Sequence, residues 1–92
     1  PYIVADLGEA FIAGLAEMGM AAVGKHFPGH GGCNIDTHVA VAYDERSYAE
    51  IAKTDLVPFQ KLASVLQGVM PAHVIYPDVD DVSAGFSKVW LQ

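Results

Sequence analysis

The chain carries one cysteine, Cys33, in 92 residues. An internal disulfide is therefore excluded, and the composition fits a reducing compartment better than a cystine-stapled secreted scaffold. Basic residues are scarce, with five Lys and Arg against eleven Asp and Glu and a formal charge of −6. No basic cluster exists, so neither nucleic acid nor an anionic membrane surface is an expected partner. The uninterrupted apolar runs fall short of the ~20 residues that span a bilayer. Repeats, low-complexity tracts and Ser/Pro-rich linkers are missing. The chain opens at Pro1 with no basic segment ahead of an apolar one, so no signal peptide is expected. Charged residues make up only 17% and hydrophobic ones 52%, which excludes intrinsic disorder. Ninety-two residues make one small domain at most. That is far below the ~250 residues of a closed (β/α)₈ barrel.

What is present alternates between helical and strand patterns. Val4, Leu7, Phe11, Leu15 and Met18 recur at steps of three and four and predict an amphipathic helix stopped by Gly19. Gly8 and Gly14 weaken that helix, so it relies on tertiary packing. Residues 21–27, AAVGKHF, predict a short buried parallel strand with its polar residues at the C-terminal end. The run PGHGGCNIDTH is a long loop. Val39–Tyr43 is apolar but too short to assign. Ser47 and Glu50 form an S-x-x-E capping box that opens a helix at Tyr48. Pro58 forbids one continuous helix, so two are expected. The second is capped by Thr54 or Asp55 and buries Leu56, Phe59, Leu62, Ala63 and Leu66. Residues 69–76, VMPAHVIY, predict a second buried strand, and SKVWLQ reads as a helix start. This order predicts an α/β fold with parallel strands. Two strands cannot bury both sheet faces alone, so the expectation is a piece of a larger barrel or doubly wound domain.

The chemistry concentrates between Lys25 and His38, where three of the four histidines lie beside a strand end and a glycine-rich loop. Ligand sites of α/β folds sit at the carboxyl ends of strands. Solvated loop polarity is the plain reading. A metal site built from His26, His30, Asp36 and His38, with Cys33 also within reach, is a second. Against it, Pro28 and Gly29 forbid the helix that would align His26 with His30. The third is an acid/base dyad in Asp36-Thr37-His38. The carboxylate would fix the imidazole tautomer and stabilise its protonated form. A D-x-H spacing alone is common by chance, so spacing leaves all three open.

GKHFPGHG at Gly24–Gly31, IDTHVAV at Ile35–Val41 and DER at Asp44–Arg46 resemble the bacterial NagZ-type β-N-acetylglucosaminidases of glycoside hydrolase family 3. DLVPF at Asp55–Phe59, VMPAHVIYP at Val69–Pro77 and AGFSKVWLQ at Ala84–Gln92 continue the match across nearly the whole chain. The resemblance implies an α/β fragment of a (β/α)₈ barrel, about two of eight strands with their flanking helices. Residues 1–92 would be part of a single catalytic barrel cut at both ends; the rival expectation is a non-catalytic fragment whose residues serve only barrel packing or an oligomer contact. The resemblance implies a retaining exo-enzyme that removes N-acetylglucosamine from muropeptides in peptidoglycan recycling, in the cytoplasm, without cofactor or metal. Lys25 and His26 would bind sugar hydroxyls. His38 would be the general acid/base, oriented by Asp36. The nucleophilic Asp would lie beyond Gln92 and a sugar-binding Arg upstream of Pro1, so the partners would be the muropeptide and the remaining barrel segments. Family members often carry Leu-Pro near Val41–Ala42 and Ser at Thr37; Cys33 takes no role from the resemblance. His73 would be either a residue beneath the sugar or a buried core histidine. His30 would brace its own loop, and Asp78, Asp80 and Asp81 would cap the turn after the strand.

Overall fold

The structure, a computed structural model, describes residues 1–30 and 42–92. Helix α1 (Tyr2–Glu17) follows the apolar period at Val4, Leu7, Phe11 and Leu15. It stops where Gly19 adopts a φ of +74°, a region that favours glycine, and the Gly19 and Met20 amides close back on Ala16 and Leu15. The helix lies against α3 (Leu56–Leu62), where Lys61 Nζ sits 5.1 Å from the centroid of the Tyr2 ring.

The expected first strand is β1 (Val23–Phe27), paired in parallel with β3 (Gly68–Pro71). Val23 lies opposite Gly68 and Lys25 opposite Met70, and the register shifts between Lys25 and Phe27. The expected second strand is not continuous. It divides into β3 and β4 (Val74–Ile75), and β4 pairs in parallel with β2 (Ala42–Tyr43). Pro71 has no amide to donate and closes the first ladder. The Ala72 amide makes the last bond to Phe27 O at 2.7 Å before the chain turns to its second partner. The undecided segment before Tyr43 thus ends, in its described residues, as a strand.

Helix α2 (Tyr48–Lys53) begins at Ser47, whose hydroxyl accepts from the Glu50 amide at 3.2 Å as the capping box requires. Two helices form as expected, with Pro58 in the first turn of α3. The expected side-chain cap on α3 does not form. Thr54 donates its hydroxyl to Glu50 O at 2.9 Å, and the Asp55 carboxylate turns to Arg46. Leu56 and Leu62 of the predicted stripe are buried, Phe59 and Leu66 half-buried, and Ala63 is exposed. A single turn of 3₁₀ helix (Ala84–Phe86) leads to α4 (Lys88–Leu91), where Ser87 Oγ accepts from the Trp90 amide at 3.2 Å.

One buried cluster gathers Ile51, Leu56, Val74, Tyr76, Ala84 and Trp90. Trp90 is its aromatic centre, in tilted or edge contact with Phe27, Tyr48 and Tyr76. Two faces expected to be buried are open. Phe11 is 70% exposed on α1, and Val23 is 59% and Met70 50% exposed on the strands. No element among the described residues covers them. Among the described residues no helix is long and apolar enough to cross a membrane.

This α/β order, with helices between parallel strands, is that of a fragment of a (β/α)₈ barrel.

Candidate active site

Strand β1 has two different faces. A Cβ on Gly24 would stand 2.9 Å from Leu66 Cδ1 and 3.3 Å from Phe59 Cε1, so α3 covers that side. Val23 and Lys25 alternate to the other side, beside Met70 of β3, and that side is open. In a (β/α)₈ barrel the helices cover the outer face, and the site lies at the C-terminal ends of the strands. Lys25 is therefore exposed on the inward face, near the C-terminal end of its strand.

His26 is half-buried, and its ring centroid lies 5.8 Å from that of His30. The Lys25–His26 and Phe27–Pro28 peptide bonds are cis. Asp36 and His38, the proposed dyad, lie outside the described residues, as does Cys33. Of the four residues in the metal reading only His26 and His30 are described. Among the described residues no group of three or more His, Cys, Asp or Glu could hold a metal ion. His73 is exposed between the buried Ala72 and Val74. Asp80 accepts from the Asp81 amide at 2.8 Å and from Ser87 Oγ at 2.7 Å. The Ser87 bond, then the amide, holds its carboxyl below the usual range. That is the turn-capping part foreseen for it.

The densest polar structure was not foreseen as a site. Arg46 lies between two carboxylates. Its Nε and Nη2 reach Asp44 at 3.0 and 2.6 Å, and its Nη1 and Nη2 reach Asp55 at 3.0 and 2.8 Å. Asp44 is 2% exposed, and its carboxylate also accepts the Arg46 amide at 3.1 Å. The hydrogen bonds from the Arg46 side chain hold the Asp44 carboxyl below its ordinary range, outweighing the burial that pushes it up. The same two carboxylates raise Arg46 further above the usual arginine value. Beside this bridge is Gly29, buried at φ +156°, where a Cβ would overlap the Asp55 side chain. The hydroxyl of the fully buried Tyr76 donates to Gly29 O. The D-x-R spacing of Asp44 and Arg46 was the visible signal; the second carboxylate comes from nine residues along the chain.

A cleft of about 680 Å³ opens between α1, β1 and α3. Its walls are the apolar stripe of α1 and the side chains of Phe59, Leu62 and Leu66, with Lys25 and His30 at one end. Such a lining suits helix packing and offers a sugar few hydrogen bonds. The end of β1 is more polar, with Lys25 exposed and His26 and His30 half-buried.

The chain matches the family described as "Glycosyl hydrolase family 3 N terminal domain" over residues 1–92. It is 58% identical over 93 residues to the beta-hexosaminidase of Hydrogenovibrio crunogenus, covering all of this chain and 26% of that protein. It superposes on NagZ from Neisseria gonorrhoeae in complex with N-trifluoroacetyl-D-glucosamine with a TM-score of 0.93 at 47% identity, covering 98% of this chain and 27% of the other. On CbsA from Thermotoga neapolitana the TM-score is 0.95 at 37% identity, covering 100% and 22%. The chain thus spans about a quarter of the length of these relatives. By sequence and by fold it belongs to the glycosyl hydrolase family 3 N-terminal domain family.

Proposed function

We propose that this chain is one contiguous part of a single family 3 catalytic barrel, and that the complete protein is a retaining exo-β-N-acetylglucosaminidase acting on muropeptides in cytoplasmic peptidoglycan recycling. One observation carries the reading. Lys25 stands on the face of β1 that α3 leaves open, in a chain nearly superposable on a protein solved with an N-acylated glucosamine. An ammonium there, next to His26, suits the hydroxyls of a terminal sugar. His38, oriented by Asp36, protonates the departing oxygen and later takes a proton from water. Imidazole titrates near ~6.5 and can do both at neutral pH. The nucleophile is a carboxylate from outside residues 1–92.

His38→Ala in the complete protein tests this. Turnover on aglycones that leave poorly is expected to fall roughly 10²–10⁴-fold. Aryl glycosides with good leaving groups need less protonation and lose less. Equal losses on both would remove His38 from the acid role.

A further inference from the structure

Three strands end around one part-buried bridge. Gly29 follows β1, Asp44 follows β2 and Tyr76 follows β4. Asp55, at the start of α3, completes the group. Each member is tied to another. Tyr76 donates to Gly29 O, Asp55 fills the space a side chain at Gly29 would need, and Arg46 joins Asp55 to Asp44. Asp44 is fixed in turn by its own amide, which donates to Ile75 O at 2.9 Å. Among the described residues the two strand pairs share no ladder with each other. This bridge therefore joins the end of the β1–β3 pair to the end of the β2–β4 pair.

The placement argues for more than stability. A buried ion pair is a poor source of stability, because desolvation offsets most of the Coulomb gain. A rigid guanidinium fork, however, fixes distance and angle at both carboxylates. Here it lies at the C-terminal ends of the strands, the end where barrel sites are built. It grips the turn that joins His26 to His30, one residue past Pro28.

We propose that Arg46, acting through Asp55 and with Tyr76, is a positioning residue for sugar binding: it holds the Gly29 turn and so sets where Lys25 and His26 are presented. The inference rests on the assignment of Lys25 and His26 to the sugar site. It asks nothing of Arg46 as a direct contact.

The test is calorimetric titration of the complete protein with N-acetylglucosamine, with thermal unfolding of the same samples. The variants are Arg46→Lys, which keeps the charge and loses the fork, and Tyr76→Phe, which loses only the hydroxyl. Binding stoichiometry reports the folded fraction, so Kd refers to folded protein alone. Kd is expected to weaken at least about tenfold in both, the change that follows when one charged hydrogen bond to the sugar is misplaced. A merely structural bridge would lower the melting temperature and leave Kd within threefold of the parent, and that result overturns the proposal. Should Arg46→Lys fail to fold, Tyr76→Phe decides alone by the same criterion. Lys25→Ala separates the two levels. If it binds the sugar like the parent, the site assignment fails. If it loses binding while both bridge variants keep theirs, the positioning role fails.

Discussion

Replacing Asp44 by Asn removes one charge from the bridge and leaves its shape. Asp44 takes Nε at 3.0 Å, Nη2 at 2.6 Å and the Arg46 amide at 3.1 Å, and its side chain is 2% exposed. Removing one partner of a fully buried pair costs about 3–5 kcal/mol, largely because the other charge is stranded. Arg46 is not stranded here. It keeps Asp55 at 2.8 Å and is 26% exposed. The loss is therefore nearer that of one charged hydrogen-bond set, about 2 kcal/mol at pH 7. The pH dependence carries the sharper test. The Arg46 hydrogen bonds depress the folded carboxyl below its unfolded value, which lies near ~3.9. Between the two values the folded state binds fewer protons, so stability rises with pH there. The contribution is full above the unfolded value and lost as pH falls through the folded one. Urea unfolding of the complete protein and its Asp44→Asn variant from pH 7 down to pH 2 measures the difference. It should hold near 2 kcal/mol at neutral pH and shrink steadily below about pH 4. A difference that stays constant across that range would refute the electrostatic account and leave only shape.

Gly29→Ala is expected to destabilise the complete protein by roughly 1–3 kcal/mol, because its methyl group meets the Asp55 side chain; an unchanged unfolding midpoint would mean that the turn can move freely. Ser47→Ala removes the cap on α2 and should cost about 1 kcal/mol by the same assay, with no effect on sugar affinity. Residues 1–92 produced alone should turn over no aryl N-acetylglucosaminide and should self-associate in light scattering. Phe11 at 70% and Leu7 at 68% exposure leave apolar surface bare, and open strand edges invite pairing. A monodisperse, active monomer would contradict both statements.

Local patterns predicted local structure well. The period of α1, the Ser47–Glu50 box, the break before Pro58 and the polar end of β1 all follow from spacing and backbone chemistry within one turn or one strand. The divided strand at residues 68–75 did not follow, although its cause is one residue. A proline inside an apolar run marks either an edge or a change of partner, and the choice depends on which neighbour lies alongside. Here β1 lies beside Pro71 and β2 beside Val74. The open faces of β1, β3 and α1 have a related cause. A hydrophobic pattern records which face wants covering, and the cover need not be among the described residues.

The bridge was hidden by a competition that sequence alone cannot score. Asp55 stands where a helix-capping aspartate belongs, and its default partner is a backbone amide of the first turn. A charged hydrogen bond is roughly twice as strong as a neutral one, so a guanidinium within reach draws the carboxylate away. Whether one is within reach depends on how tightly the chain returns between Arg46 and Asp55. Helix α2 makes that return in six residues, and the Arg46 Nη1 closes on Asp55 at 3.0 Å. Gly29 shows the same substitution of cause. In sequence it belongs to a run of glycines that suggests backbone freedom. In the fold it is buried and clamped by Tyr76 and Asp55. Both obstacles to alanine meet at Gly29, where φ of +156° is a conformation L side chains rarely adopt and a Cβ would also overlap Asp55; a loop glycine at an ordinary φ in open space meets neither and can gain stability from alanine through the unfolded chain.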